Sequence, residues 1–176
     1  MENPSPFDPQ GPFHYFKLSV EVVKLNRLAM AEVAGNASAM RFGIGVTAIG
    51  GAIPVVPHTG PVGPLIAGLC SVGSLFLFAG FLHLIAGRSK GKEEFLAFVR
   101  IFALTGIIDW LALLPLADLL AIIWSVVVAI VAVEQVYELT RAKATCSVLL
   151  SVSALLVVTL ALLAGPLGQL YEMPVS

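Results

Sequence analysis

The stretch that decides the fold runs from Glu93 to Lys143 and reads EEFLAFVRIFALTGIIDWLALLPLADLLAIIWSVVVAIVAVEQVYELTRAK. It contains two apolar segments, Phe95 to Leu116 and Leu119 to Leu139, joined by a short corner that holds Pro115. Each segment has about the 20 residues that a helix needs to cross the hydrocarbon core of a bilayer. The stretch therefore predicts a hairpin of two transmembrane helices.

The composition of the whole chain agrees with this prediction. Of its 176 residues, 58% are hydrophobic and 12% are charged, whereas a soluble domain usually carries about 25% charged residues. Three further apolar segments could cross a bilayer: Asn36 to Gly51 with an extension to Val56, Leu65 to Ala86, and Ala144 to Ala164. We therefore predict an all-α polytopic membrane protein with five transmembrane helices.

The N-terminal part of the chain has a different pattern. The first twelve residues are rich in proline and predict an irregular tail. From Phe13 to Val33, apolar residues alternate with charged ones, which predicts an amphipathic helix that is too charged to cross a membrane. This helix could lie in the headgroup region or dock on cytoplasmic loops. The predicted division is 1–40 for the cytoplasmic tail and helix, 41–164 for the five-helix bundle, and 165–176 for a non-cytoplasmic tail.

The basic residues predict the orientation of the bundle. All ten Lys and Arg lie in three places: up to Arg41, between Arg88 and Arg100, and at Arg141 and Lys143. With five spans and a cytoplasmic N-terminus, these three places fall on the same side of the membrane. This arrangement satisfies the rule that cytoplasmic connections carry the excess of Lys and Arg.

Four polar residues fall inside the predicted spans and are the candidate site residues: Asp109, Thr105, Glu134 and His83. Ionisable groups at membrane depth are costly, so they are functional candidates by default. Asp109 could be neutral and hydrogen-bonded to a neighbouring helix, could relay protons or ions, or could contact a partner subunit. Its neighbours Thr105 and Gly106 predict a face turned towards other helices. Glu134 could reach water or Arg141, and its predicted depth would also let it meet His83.

Small residues predict where helices approach one another. Gly73, Gly80 and Gly87 recur every seven residues on one face of the second span, and such stripes allow close helix packing in lipid. The two cysteines, Cys70 and Cys146, have predicted depths near opposite sides of the bilayer. Because a disulfide needs Cα atoms within about 7 Å, both are predicted to be reduced packing residues.

The sequence contains none of the enzyme motifs for which we searched: no P-loop, no His-Glu-x-x-His, no nucleophile elbow and no Cys-x-x-Cys. No second histidine or cysteine is spaced to share a metal with His83. We therefore predict a protein that is not an enzyme, with no catalytic residues and with no cofactor or metal.

A set of residues between Arg88 and Ala164 resembles a known family. The set comprises Lys90 to Glu94, Phe95, Phe98, Arg100, Thr105, Gly106, the Leu114-Pro115 corner, Trp124 to Val133, Glu134, Val136, Leu139, Thr140, Arg141, Lys143 and Ala144. In this order they resemble the Yip family of Ypt/Rab-interacting membrane proteins, in its prokaryotic form. The resemblance implies a bacterial cytoplasmic (inner) membrane. Eukaryotic members are implied to bind prenylated small GTPases, but this chain lacks their long N-terminal region and their Asp-Leu-Tyr-Gly-Pro type motif.

Two functions from different classes follow from these observations. The first is a non-catalytic membrane subunit or scaffold that binds a membrane partner or organises lipid. Its expected partners are membrane lipid and either another protein or a second copy of the chain, with no nucleic acid. The second is a small proton or ion transporter or channel that uses the intramembrane Asp109, together with Glu134 and His83. That function needs a polar path, for which the outer half of the spans offers few residues: Cys70, Ser71, Ser74, Ser125 and Thr159.

Overall fold

The computed structural model of the protein describes residues 11–57, 60–87, 91–113 and 117–164. At 111–113, 117–118 and 162–164 it describes the backbone and not the side chains. Within these ranges the fold is all-α. The helices are α1 Pro12–Val23, α2 Arg27–Gly35, α3 Ala37–Ala52, α4 Val62–Ala86, α5 Lys92–Leu104, α6 Ala117–Val136 and α7 Arg141–Ala164, with 3₁₀ segments at Ile53–Val55 and Thr105–Leu113. Apart from Gly11, which precedes α1, and Pro12, which begins it, the predicted irregular N-terminal tail lies outside the described residues, as do the predicted C-terminal tail and the Leu114-Pro115 corner.

Four helical segments in the described ranges are long and apolar enough to cross a membrane. They are Ala37–Val55, Val62–Ala86, Leu119–Val136 and Arg141–Ala161. Many large apolar side chains on these helices are exposed, as expected where lipid and not water surrounds a bundle. The prediction of an all-α membrane protein is confirmed to this extent, and four of the five predicted spans correspond to these segments.

The third predicted span, Phe95 to Leu116, is not one continuous α-helix. It begins as α5 and changes at Thr105 into a 3₁₀ helix of nine residues, Thr105–Leu113, which we call the long 3₁₀ segment. Two hydroxyl groups bond to the last turn of α5: Thr105 donates to the Phe102 carbonyl at 2.6 Å, and Thr47 of α3 donates to the Ala103 carbonyl at 3.0 Å. These bonds satisfy carbonyl groups at the point where the α-helical pattern ends.

The predicted amphipathic helix Phe13 to Val33 is two helices, α1 and α2. The chain turns between them at Leu25, whose φ of 64° lies in the left-handed region. The Asn26 side chain caps α2 by accepting bonds from two backbone N–H groups, and it donates to Glu21 at 3.0 Å. The bonds from Asn26 and Lys24 hold the pKa of the Glu21 carboxyl below its ordinary value.

The N-terminal helices pack into the core of the bundle. Leu18 and Val22 of α1 and Met30 of α2 are fully buried and belong to the same apolar cluster as the membrane helices. The two helices contact α5, α6 and the long 3₁₀ segment. The N-terminal helices therefore share one apolar core with the membrane helices, and they do not dock on the connecting loops alone.

Hydrogen bonds and an ion pair also connect the N-terminal helices to α6. The Trp124 indole donates to the Val23 carbonyl at 2.9 Å, near the C-terminal end of α1. Arg27 at the start of α2 forms an ion pair with Glu134 at 2.9 Å, and Gln135 donates to the Arg27 carbonyl. These contacts join sequence positions more than a hundred residues apart, so the N-terminal segment and α6 fold against each other.

Helix α3 packs closely on α5 and on the long 3₁₀ segment because glycine residues leave room for backbone contact. A Cβ atom built on Gly43 would lie 2.7 Å from the Ala103 Cβ, and one built on Gly106 would lie 2.7 Å from the Thr47 hydroxyl. Such distances are too short for real side chains. The closest approach of helices therefore depends on glycine at these positions.

Candidate functional site

A cavity of about 690 Å³ lies between α3, α4, α6, α7 and the long 3₁₀ segment. Its volume is in the range of small-molecule sites, roughly 300–1,000 Å³. Most of the lining is apolar and includes Leu75, Phe78, Phe102, Val126 and Leu155. Seven residues bring polar groups to it: Thr47, Cys70, Ser71, Ser74, Thr105, Asp109 and Ser125.

Asp109 is the acidic residue of this lining, and it is partly buried. Gly50 of α3 makes room for it, since a Cβ on Gly50 would lie 3.0 Å from the Asp109 Cβ and 3.5 Å from a carboxyl oxygen. The prediction that the Asp109 face turns towards other helices is confirmed by this contact. No side chain in the described part of the protein donates a hydrogen bond to the carboxyl group, so the predicted hydrogen-bonded lock is not found there.

The hydroxyl groups of the cavity fall into two sets. Thr47 and Thr105 use their protons on the carbonyls at the end of α5, so they can offer only oxygen lone pairs to an occupant. Ser71, Ser74 and Ser125 form no hydrogen bond among the residues described, so each can still donate and accept. The polar part of the lining is therefore rich in hydrogen-bond acceptors.

Aromatic side chains cover the cavity at the end that points towards the N-terminus of α5. Phe78 and Phe102 line the cavity, with ring centroids 5.0 Å apart. Behind them Phe98 is fully buried, with its ring 5.6 Å from that of Phe102 and 6.4 Å from that of Tyr137. We call these four residues together with His83 and Phe95 the aromatic layer. Its three phenylalanines next to the cavity, Phe78, Phe98 and Phe102, place apolar rings between the cavity and the end of the bundle where α5 begins.

The other predicted site residues lie away from the cavity. Glu134 pairs with Arg27, and not with Arg141 or His83 as the predicted depths suggested. The His83 ring lies 3.1 Å from the Tyr137 hydroxyl, within the aromatic layer. The three predicted ionisable residues are thus separated, because the N-terminal helix takes Glu134 as its partner. Within the described ranges no group of three potential ligands could hold a metal.

Two glycines of the predicted packing stripe face open space in this chain. A Cβ atom built on Gly73 or Gly80 would meet no heavy atom of the described residues within 4 Å. Gly87 differs, because its Cβ would lie 2.7 Å from the Tyr137 ring. Close helix packing at Gly73 and Gly80 would have to involve a helix of another molecule, and it stays a prediction. Both cysteines are free as predicted, but they are exposed, so they are not packing residues within the chain.

Thr47 and Gly50 belong to the site but were not singled out from the sequence. A signal for them exists, because Gly43, Thr47 and Gly50 follow the i, i+4, i+7 spacing that places small residues on one helix face. Ser71, Ser74 and Ser125 were noted only as a thin polar lining. The structure brings them together with Asp109, and this convergence depends on the positions of three helices that sequence spacing alone does not determine.

The fold and the cavity define the class of the protein: an all-α integral membrane protein whose helices surround a cavity with one acidic residue among those lining it. Comparisons of the chain with protein-family models, curated proteins and solved structures found no match.

Proposed function

We propose that the protein is a non-catalytic integral membrane subunit or scaffold, of the Yip-like type that its sequence resembles, which binds a membrane partner. The aromatic layer is the observation that carries this proposal. A transporter needs a polar route through the bundle, whereas here the cavity is followed by the rings of Phe78, Phe98 and Phe102. A bundle with a cavity that ends at such a stack suits binding better than conduction.

The proposal includes five membrane crossings and a cytoplasmic N-terminus in a bacterial inner membrane. The crossing made by α5 and the long 3₁₀ segment has 13 residues of α-helix and nine of 3₁₀ helix. At about 1.5 Å and 2.0 Å per residue, these give a length of roughly 37 Å, more than the bilayer core of roughly 30 Å. The distribution of Lys and Arg supports the orientation.

The outer face of α4 supports the proposal that the partner is a protein. Gly73 and Gly80 lie on the same face as the exposed Leu69, Leu77 and Leu84, as their helical spacing requires. In a membrane this face meets either lipid or another helix. Small residues flanked by leucines allow a partner helix to approach closely, which is the main source of helix association in lipid. The partner is then a second copy or another membrane protein.

The experiment replaces Gly80 by Leu and uses Gly45→Leu as the matched control. Both glycines have open space around the position of a Cβ atom, so neither substitution should disturb the fold. We expect Gly80→Leu to abolish co-purification of the partner, or dimerisation seen by single-molecule photobleaching, with an unchanged melting temperature. Association that survives Gly80→Leu, or that Gly45→Leu removes equally, would contradict the proposal.

Proton or ion transport is the second candidate, and the position of Asp109 in the cavity favours it. Flux measured in proteoliposomes distinguishes the two functions. We expect no proton or cation flux from the wild type. Since no described hydrogen bond is lost, Asp109→Asn and Asp109→Leu should both keep the melting temperature. Flux in the wild type that disappears in a stable Asp109→Asn variant would replace the scaffold proposal with the transport one.

A further inference from the structure

The polar groups of the cavity include more hydrogen-bond acceptors than donors, because Ser71, Ser74 and Ser125 can donate and accept whereas the other oxygen groups can only accept. An ionised Asp109 offers only acceptors, and the two threonine hydroxyls have already donated their protons to backbone carbonyls. Among the described residues that line the cavity there is no Lys, Arg or His. An occupant that bonds to Asp109, Thr47 and Thr105 brings hydrogen-bond donors, and it gains most if it also brings a positive charge for the carboxylate.

The apolar part of the lining fits the rest of such an occupant. Phe78 and Phe102 present aromatic rings, and Leu75, Val126 and Leu155 add aliphatic surface. Aromatic faces also attract cations within about 6 Å of the ring centre. The volume of about 690 Å³ has room for an apolar body larger than a single metal ion would need.

We propose that the cavity around Asp109 binds an amphiphilic organic cation, a protonated amine on an apolar body. The ammonium group donates to the Asp109 carboxylate and to cavity hydroxyls, and the apolar body lies against Phe78 and Phe102. The site is distinct from the outer face of α4 and stands whether or not that face recruits a partner.

Cys70 supplies the reporter, since it lines the cavity and is a free thiol. In a Cys146→Ser background, the rate of Cys70 alkylation by N-ethylmaleimide in mild detergent shows whether an occupant of the cavity shields this exposed thiol. The probe is phenylbutylamine, which is cationic at neutral pH, and its neutral match is phenylbutanol. We expect the amine to slow alkylation in a saturable way and the alcohol to leave the rate unchanged.

The Asp109→Asn variant tests the carboxylate directly. In this variant, the amine concentration that gives the same protection of Cys70 should rise by at least about tenfold, as expected for the loss of a charge-assisted hydrogen bond. Glu134→Gln is the matched control, because it makes the same chemical change, carboxylate to amide, away from the cavity. In this variant the amine should protect Cys70 from alkylation as well as it does in the wild type. If the melting temperature shows that Asp109→Asn is unfolded, Asp109→Leu replaces it.

A parallel measurement in nanodiscs identifies the source of the amine. Phosphatidylethanolamine added to phosphatidylcholine discs will slow Cys70 alkylation if a lipid headgroup occupies the site, whereas protection by phenylbutylamine alone indicates a free amine. Either result supports the site. Equal protection by phenylbutanol, unchanged protection in the folded Asp109 variant, or no protection by either amine source would overturn it.

Discussion

Truncation of Leu18 to alanine tests whether the N-terminal helices are part of the core. Leu18 lies on α1 with 0% of its surface exposed, in contact with the apolar cluster of the bundle. Leu28 on α2 provides the matched control, because it is the same residue type in the same N-terminal region but is 82% exposed. The two substitutions remove the same atoms from opposite environments.

The expected magnitude follows from the cavity that Leu18→Ala would leave. Buried Leu→Ala substitutions cost roughly 2–5 kcal/mol, because the surroundings close only partly around the lost carbons. For a protein of this size, 1 kcal/mol corresponds to about 2–4 °C in Tm, so we expect a decrease of roughly 4–20 °C. Leu28→Ala removes a side chain that has few neighbours and should leave Tm unchanged.

Thermal unfolding in a mild detergent, followed by circular dichroism, measures both variants against the wild type. Phe13→Ala, at a second exposed position on α1, extends the control to an aromatic residue. If α1 and α2 lay only in the headgroup region, Leu18 and Leu28 would both contact lipid. Equal melting temperatures for Leu18→Ala and Leu28→Ala would therefore refute the packing described here.

Two further predictions concern individual contacts, and a third concerns the proposed topology. Gly43→Ala should destabilise the bundle by roughly 1–3 kcal/mol, because its Cβ would meet Ala103 at 2.7 Å, whereas Gly45→Ala should not; chemical denaturation of the two variants checks this. Asn26→Ala removes the cap of α2 and should cost roughly 0.5–2 kcal/mol. Because the pKa of Glu21 is lowered in the folded state, its contribution to stability is present above its ordinary pKa of 4.5 and is lost as pH falls through the lower folded-state pKa. The difference in melting temperature between Asn26→Ala and the wild type should therefore become smaller in acid, which melting curves at a series of pH values will show. For the proposed topology, a cysteine replacing Glu172 in a cysteine-free background should react with an impermeant thiol reagent in intact cells, and one replacing Ser89 should not; reversed labelling would reject a cytoplasmic N-terminus.

The apolar segments could be predicted from the sequence because each is long enough to require lipid, whatever its neighbours. Residue type and length alone decide that outcome for α4, α6 and α7. The α1 and α2 helices could not be placed in the same way. Their charged residues match an interfacial helix, and only the tertiary structure shows that one face packs inward, through buried residues such as Leu18 and through the contacts of Arg27 with Glu134 and Gln135. Sequence spacing does not reveal pairs more than a hundred residues apart.

The position of Asp109 shows why the cavity could be predicted only in part. In an α-helix each residue turns by about 100°, but in a 3₁₀ helix it turns by about 120°. From Thr105 to Asp109 the difference accumulates to roughly 80°, enough to change the face on which the carboxyl group lies. Asp109 then shares a face with Gly106, three residues earlier, and both meet Gly50 of α3. The polar residues could be identified from the sequence, but the direction of the carboxyl group depends on the change of helix type after α5. That direction follows from tertiary contacts such as the bond from Thr47, which no local pattern contains.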